Sequence, residues 1–262
     1  MNDKIKTIFK NSKIFINKNH DEAFLVFEDF EKKEFKTNIL VNFDTHSDII
    51  VNTKNEKLNI GNWVNYCIKH LNIDTIYWIL PSYIVDSHTN KIMYEKENEK
   101  PNNKNFIGHQ NITLTPLKNN KKTFFYFIDT DELFEENHIN KLDKQLKKFN
   151  INENILSKTN YKKIEIIILT MDELVQLKNK DVLLSVDADF FCNTGFDTLK
   201  RINNQLTSKE QLISLFEEFI DKLYLNKINP LCTSLTQSPI YFPQKFKAEI
   251  NDFYLKIYHS ND

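Results

Sequence analysis

The nine residues "VNFDTHSDI", Val41 to Ile49, set a carboxylate, an imidazole and a second carboxylate at alternate positions directly after an apolar run. Alternate side chains of an extended chain point the same way, so Asp44, His46 and Asp48 are expected to converge at the end of a strand reading "NILVNF". Val41 and Phe43 lie on the opposite parity, which leaves the donor face polar and argues against a merely solvated turn. Two further sets stand at the ends of apolar runs: His20, Asp21 and Glu22 after "KIFIN", and Asp187 with Asp189 after "DVLLSV". Taken singly, His20 could be a surface histidine, and an aspartate at a strand end commonly caps a helix. Three coincident sets point instead to a site that grips cations. Held together, the carboxylates of Asp44, Asp48, Asp187 and Asp189 would push one another's pKa values upward, and two divalent cations would balance their charge. Oxygen-rich ligation with two imidazoles and no thiolate favours a hard metal, manganese first. A pair of such ions ionises water near neutral pH, so the implied chemistry is hydrolysis.

The elements that must position these groups follow from hydrophobic periodicity. "KIFIN", "NILVNF", "TIYWIL", "TFFYFI", "IEIIILT", "DVLLSV" and "PLCTSL" are nearly continuous apolar runs, the pattern of strands buried on both faces. "DEAFLVFEDFEKK", "GNWVNYCIKHL", "KEQLISLFEEFIDKLYL" and "QKFKAEINDFYLKIY" repeat their apolar residues at helical spacing. Alternation of the two predicts an α/β fold, a mainly parallel sheet flanked by helices, whose ligand site lies beyond the carboxyl ends of the strands. The stretch Asp86 to Lys122, with "KENEKPNNKN", breaks the pattern and reads as a polar excursion within a single domain spanning residues 1–262.

Composition excludes several classes of function. A formal net charge of -1 over 262 residues gives no electrostatic footprint for nucleic acid. No apolar run is long enough to span a bilayer. Cys67, Cys192 and Cys232 form no C-x-x-C pair, which suggests neither a disulfide framework nor a zinc ribbon and predicts a reduced, cytoplasmic setting. Three glycines, Gly61, Gly108 and Gly195, cannot assemble a dinucleotide fingerprint or a P-loop. Trp63 reads as a core aromatic, His70 as a surface residue, and Tyr241, Phe242 and Phe246 as packing.

The order of a strand-end His20, then Asp44-Thr45-His46-Ser47-Asp48, then Ser185-Val186-Asp187-Ala188-Asp189 resembles the ureohydrolase superfamily that includes arginase and agmatinase. "NHDEAF", "FDTHSD", "NIGNWV" and "VDADFF" look closest to its peptide arginase branch, which converts arginine within a ribosomally made peptide to ornithine and releases urea. The resemblance implies a three-layer arginase-like fold with two Mn2+ ions. His20, Asp44, Asp48 and Asp187 would hold one ion; Asp44, His46, Asp187 and Asp189 would hold the other. It further implies an arginine-containing precursor peptide as partner. The chain departs from the pattern in four places. Lys18-Asn19 replaces a glycine pair, and Phe190-Phe191-Cys192-Asn193 replaces an aspartate-proline. "TSLTQSPIYFP" lacks the guanidinium-binding glutamate, and Asn62-Trp63 stands near the usual shuttle histidine. These changes argue against free arginine and for a larger ligand. Glu22, two residues beyond His20, is then the candidate catalytic carboxylate, in competition with a role at the start of a helix; His88 and His109 are candidates to assist. Two other readings use the same donors. A metallophosphoesterase would also begin with Asp44-Thr45-His46, but its Asn-His pair should follow rather than precede it as Asn19-His20 does. A metal-dependent peptide-binding protein could keep the donors without turnover.

Overall fold

The structure, a computed structural model, describes residues 1–33, 37–46, 48, 57–81, 115–116, 123–129, 161–192 and 208–261. Strands β1 (Lys13–Asn17), β2 (Ile39–Phe43), β3 (Thr75–Leu80), β4 (Thr115–Pro116), β5 (Thr123–Asp129), β6 (Tyr161–Thr170), β7 (Asp181–Asp187) and β8 (Asn229–Thr236) form one sheet. Its order is β1-β8-β7-β2-β3-β6-β5-β4. The six strands from β1 to β6 in that order run parallel, whereas β5 is antiparallel to β6 and β4 to β5. The apolar run "TFFYFI" is therefore a strand, but one that closes the parallel sheet at an antiparallel edge. The polar excursion at 86–122, with His88 and His109, lies outside the described residues except for β4.

Among the described residues, five helices accompany the sheet: α1 (Asn2–Phe9), α2 (Glu22–Lys33), α3 (Trp63–His70), α4 (Lys209–Leu225) and α5 (Lys247–Tyr258). Four coincide with the periodic segments. The fifth, α1, has too few apolar residues to stand out, yet Ile5, Ile8 and Phe9 sit at helical spacing and all are buried. Helix α4 starts where Ser208 Oγ accepts the Gln211 amide, 3.3 Å away, and the Gln211 side chain accepts the Ser208 amide in return. That capping box satisfies two otherwise orphaned donors.

Strand alternation sorts the core into two layers. Leu40, Ile76, Trp78, Leu80, Ile164, Ile166 and Ile168 face α2 and α3. Val41, Phe43, Tyr77, Ile79, Ile167 and Leu169 face the cluster that includes α1, α4 and α5. The result is a three-layer α/β fold, helices on both faces of the parallel strands, as apolar runs buried on both sides require. The second cluster is aromatic at its centre. Phe216 stacks on Phe253 with ring centroids 4.1 Å apart, and Phe191 meets Phe216, Phe219 and Phe253 edge-on.

Candidate metal centre

The chain leaves β2 through α3 to β3 on one side, and leaves β7 through α4 to β8 on the other. β2 and β7 are neighbours, so their carboxyl ends flank the point where the sheet reverses its order of assembly, the usual place for a ligand in an open α/β sheet. Asp44 follows β2 and Asp187 ends β7. His20 arrives from the turn after β1, where its carbonyl accepts the Ala23 amide at the start of α2.

The six sequence-predicted donors come together in two linked groups. His20 Nδ1 lies 3.1 Å from Asp44 Oδ2, 2.9 Å from Asp48 Oδ2 and 3.2 Å from Asp187 Oδ2. His46 Nδ1 lies 3.0 Å from Asp189 Oδ2 and 3.5 Å from Asp44 Oδ1. Asp44 is shared, one oxygen to each imidazole. Ligand-type atoms of His20, Asp44 and Asp187, and of Asp44, His46 and Asp189, each lie within 4.8 Å of one another, spacings that could hold a metal ion. Asp44 and Asp189 are fully buried, and Asp187 and Asp48 are 4% and 6% exposed, so water screens their mutual repulsion poorly.

The convergence does not arise from strand alternation, as the sequence pattern suggests. β2 stops at Phe43, and from there the chain turns. Asp44 Oδ1 accepts the His46 amide at 2.8 Å, and Asp48 takes a left-handed backbone with φ 49°. Likewise β7 ends at Asp187, whose carboxylate accepts the Asp189 amide at 3.2 Å and caps the short helical turn Ala188–Phe190. Asp187 is thus a helix cap and a member of the cluster at once, since one carboxylate has lone pairs for both.

Electrostatics identify what the cluster lacks. Burial opposes a charge on His20, yet Asp187, with Asp44 and Asp48, outweighs it and holds the imidazole well above its ordinary pKa. Burial likewise opposes charge on His46, but Asp189 and Asp44 push it up to about 12. Burial, then Asp44, pushes the Asp48 carboxyl up to about 6. Burial raises Asp187 and Asp189 also. The clustered carboxylates favour positive charge beside them, here on the two imidazoles. His20 Nδ1 supports this reading by geometry: three carboxylate oxygens surround it within 3.2 Å, yet none makes a hydrogen bond of acceptable direction. Its other nitrogen, Nε2, is 2.7 Å from Ser185 Oγ. When Nε2 donates there, Nδ1 presents a lone pair to the three carboxylates, an arrangement stable around a cation and repulsive otherwise. The donor set therefore fits metal ions.

Several neighbours carry weight that the sequence did not disclose. Trp63 is buried core, as expected, but its indole Nε1 donates to Asp48 Oδ2 at 2.6 Å. Tyr241, expected to be packing, is half-buried with its ring 5.0 Å from that of His46, whereas Phe242 and Phe246 are core. His70 is exposed, as expected. Phe190 and Phe191, at 2% and 0% exposure, pack against Phe43 and the aromatic cluster. They anchor the segment after Asp189 by burial. Gln237, at the end of β8, turns its amide to Asn251 Oδ1 at 2.9 Å. Glu22 Oε1 accepts the Asn19 amide at 3.0 Å, which places its carboxylate at the start of α2.

Fold and site together define a three-layer α/β protein with a buried His/Asp cluster, of a kind that could hold metal ions, at a topological switch point. No protein-family model matches the chain, and no curated protein matches it. Among solved structures it is similar to a proclavaminate amidino hydrolase from Streptomyces clavuligerus, with 13% identity over 100% of this chain and 69% of that one, at a TM-score of 0.43. It is also similar to a protein from Clostridium difficile described as a "putative agmatinase", with 12% identity over 98% of this chain and 70% of that one, at a TM-score of 0.46. Likenesses of this degree concern overall fold and transfer no residue role. Among the described residues, no helix is long and apolar enough to cross a membrane.

Proposed function

We propose that this chain is a single-domain, cytoplasmic, dinuclear manganese hydrolase that converts arginine within a peptide to ornithine and releases urea. The observation that supports it above all is the pair of donor groups sharing Asp44, in which four buried carboxylates and two imidazoles meet beyond the ends of β1, β2 and β7. Two divalent ions would match the four negative charges. His20, Asp44, Asp48 and Asp187 would hold one, and Asp44, His46, Asp187 and Asp189 the other. When bound, such ions supply a water that ionises near neutral pH and a Lewis acid for the guanidinium carbon's substituents.

The chain's own residues do the rest. Ser185 orients His20. Asn42 Nδ2, 3.3 Å from Asp44 Oδ2, and the His46 amide together fix the shared carboxylate. Tyr241 borders the site, its ring 5.0 Å from that of His46. Gln237 is committed to Asn251, and Glu22, two residues beyond His20, would take a guanidinium by exchanging its bond with Asn19. The test is to load the protein with Mn2+ and incubate it with synthetic peptides carrying an internal arginine. Mass spectrometry should show products lighter by one CH2N2 unit, with one urea per event. Efficient hydrolysis of free arginine without any turnover of peptides would overturn the assignment.

A further inference from the structure

We propose that Trp63 is a positioning residue for the metal centre: the amino-terminal turn of α3 acts as a clamp that holds Asp48 in a left-handed conformation aimed at His20. The inference rests on the metal reading above and extends it to residues outside the donor set.

Asp48 has φ 49°, a region disfavoured for residues with a Cβ, although aspartate tolerates it better than most. Two bonds from α3 hold it there. The Val64 amide, one of the orphan donors of the helix's first turn, reaches the Asp48 carbonyl at 3.3 Å. The Trp63 indole reaches Asp48 Oδ2 at 2.6 Å. That same oxygen lies 2.9 Å from His20 Nδ1, so the indole holds the carboxylate oxygen that a shared cation would use together with His20. The indole is itself fixed. It is fully buried, with its ring 4.7 Å from that of His20 and 6.3 Å from that of Phe27.

The turn before α3 is pre-formed by its own side chains. Asn59 Oδ1 accepts the Gly61 amide at 2.9 Å, Asn62 Oδ1 accepts the Asn59 amide at 2.8 Å, and Asn62 Nδ2 donates to the Lys57 carbonyl at 3.1 Å. A phenylalanine at position 63 would need no polar partner. Indole buried at this point must satisfy its N–H, and the acceptor it uses is a carboxylate of the cation site.

Trp63→Phe keeps an aromatic ring and removes the donor. Metal-free wild type and variant are titrated with Mn2+ by calorimetry and equilibrium dialysis, with electron paramagnetic resonance reporting whether the bound ions are coupled. Loss of a polar neighbour of a ligand typically weakens metal affinity by about 10–100-fold. We expect that loss for one of two ions, and a switch from a coupled to an isolated Mn2+ signal at intermediate loading. Phe27→Leu loosens the packing beneath the same indole while leaving its N–H in place. It should lower the thermal midpoint of the metal-free protein yet retain both ions. If Trp63→Phe does not fold, benzothienylalanine at position 63, which replaces the N–H by sulfur in a ring of the same outline, decides the matter. Wild-type affinity for both ions in these position-63 variants would overturn the clamp alone. Equal loss of the same ion in Phe27→Leu would reassign Trp63 to packing. A wild-type protein that takes up no ion would overturn both the metal reading and the clamp.

Discussion

Removing the Ser185 hydroxyl tests whether His20 is held in a defined orientation. Ser185 Oγ and His20 Nε2 are 2.7 Å apart, and the residues are 0% and 3% exposed, so water has no route to replace the lost partner. Ser185→Ala leaves a buried ring nitrogen unsatisfied, which costs about 1–3 kcal/mol, toward the upper end for a charged imidazole. The carboxylates around Nδ1 favour that charge in the metal-free protein. A loss of about 2–3 kcal/mol is then expected, equivalent to roughly 4–12 °C in thermal midpoint for a chain of this size. Denaturant titration and calorimetry of the metal-free protein at neutral pH read it directly. Because Ser185 also fixes which His20 nitrogen faces the carboxylates, Mn2+ affinity should fall by about 10–100-fold. Ser12→Ala is the control: Ser12 Oγ and Thr233 Oγ1 form an equally buried 2.7 Å hydrogen bond that touches none of the donors, and its loss should cost about 1 kcal/mol without changing metal uptake. A Ser185→Ala protein within about 0.5 kcal/mol of wild type, and with unchanged metal affinity, would refute the reasoning, since that is the range of substitutions that disturb nothing.

Asp44→Asn removes the charge shared by the two donor groups and Asp187→Asn a second; elemental analysis should find two Mn2+ per wild-type chain and far lower occupancy in each variant, and a wild type with one ion would exclude the dinuclear arrangement. Glu22→Gln preserves an acceptor for the Asn19 amide, so fold and metal content should persist. Loss of most urea release would then assign the carboxylate to the substrate, while full activity would assign it to the helix start. Tyr254 is buried with its hydroxyl donating toward the Val186 and Thr236 carbonyls, and burial first, then Asp187 and Asp189, raises its pKa well above the ordinary value. The folded state thus holds that proton more tightly. Its contribution is fully present below about pH 10 and is lost as pH rises through the higher folded value. Wild type should lose stability above pH 10 more steeply than Tyr254→Phe, measured by denaturant titration across that range.

Local order was legible from residue types because it depends on neighbours along the chain. Lys209–Leu225 announces a helix through its apolar spacing and the Ser208 cap, and "NILVNF" or "DVLLSV" announces a strand buried on both faces because nearly every residue is apolar. The six donors were legible for the same reason: each set follows a recognisable strand end. What tertiary structure decided is how the donors meet. Sequence alternation assigns Asp44, His46 and Asp48 to one face, but β2 ends at Phe43, and the hydrogen bonds of the following turn send Asp48 toward His20 and His46 toward Asp189. The antiparallel entry of β5 and the insertion of β7 between β2 and β8 are pairings of strands far apart in the chain. Nothing local encodes that choice. Trp63 shows the division most sharply. An apolar aromatic in a helical pattern correctly predicts burial, whereas its bond to Asp48, 15 positions earlier, exists because packing α3 on the sheet brings an indole N–H and a buried carboxylate to one place, where each relieves the desolvation of the other.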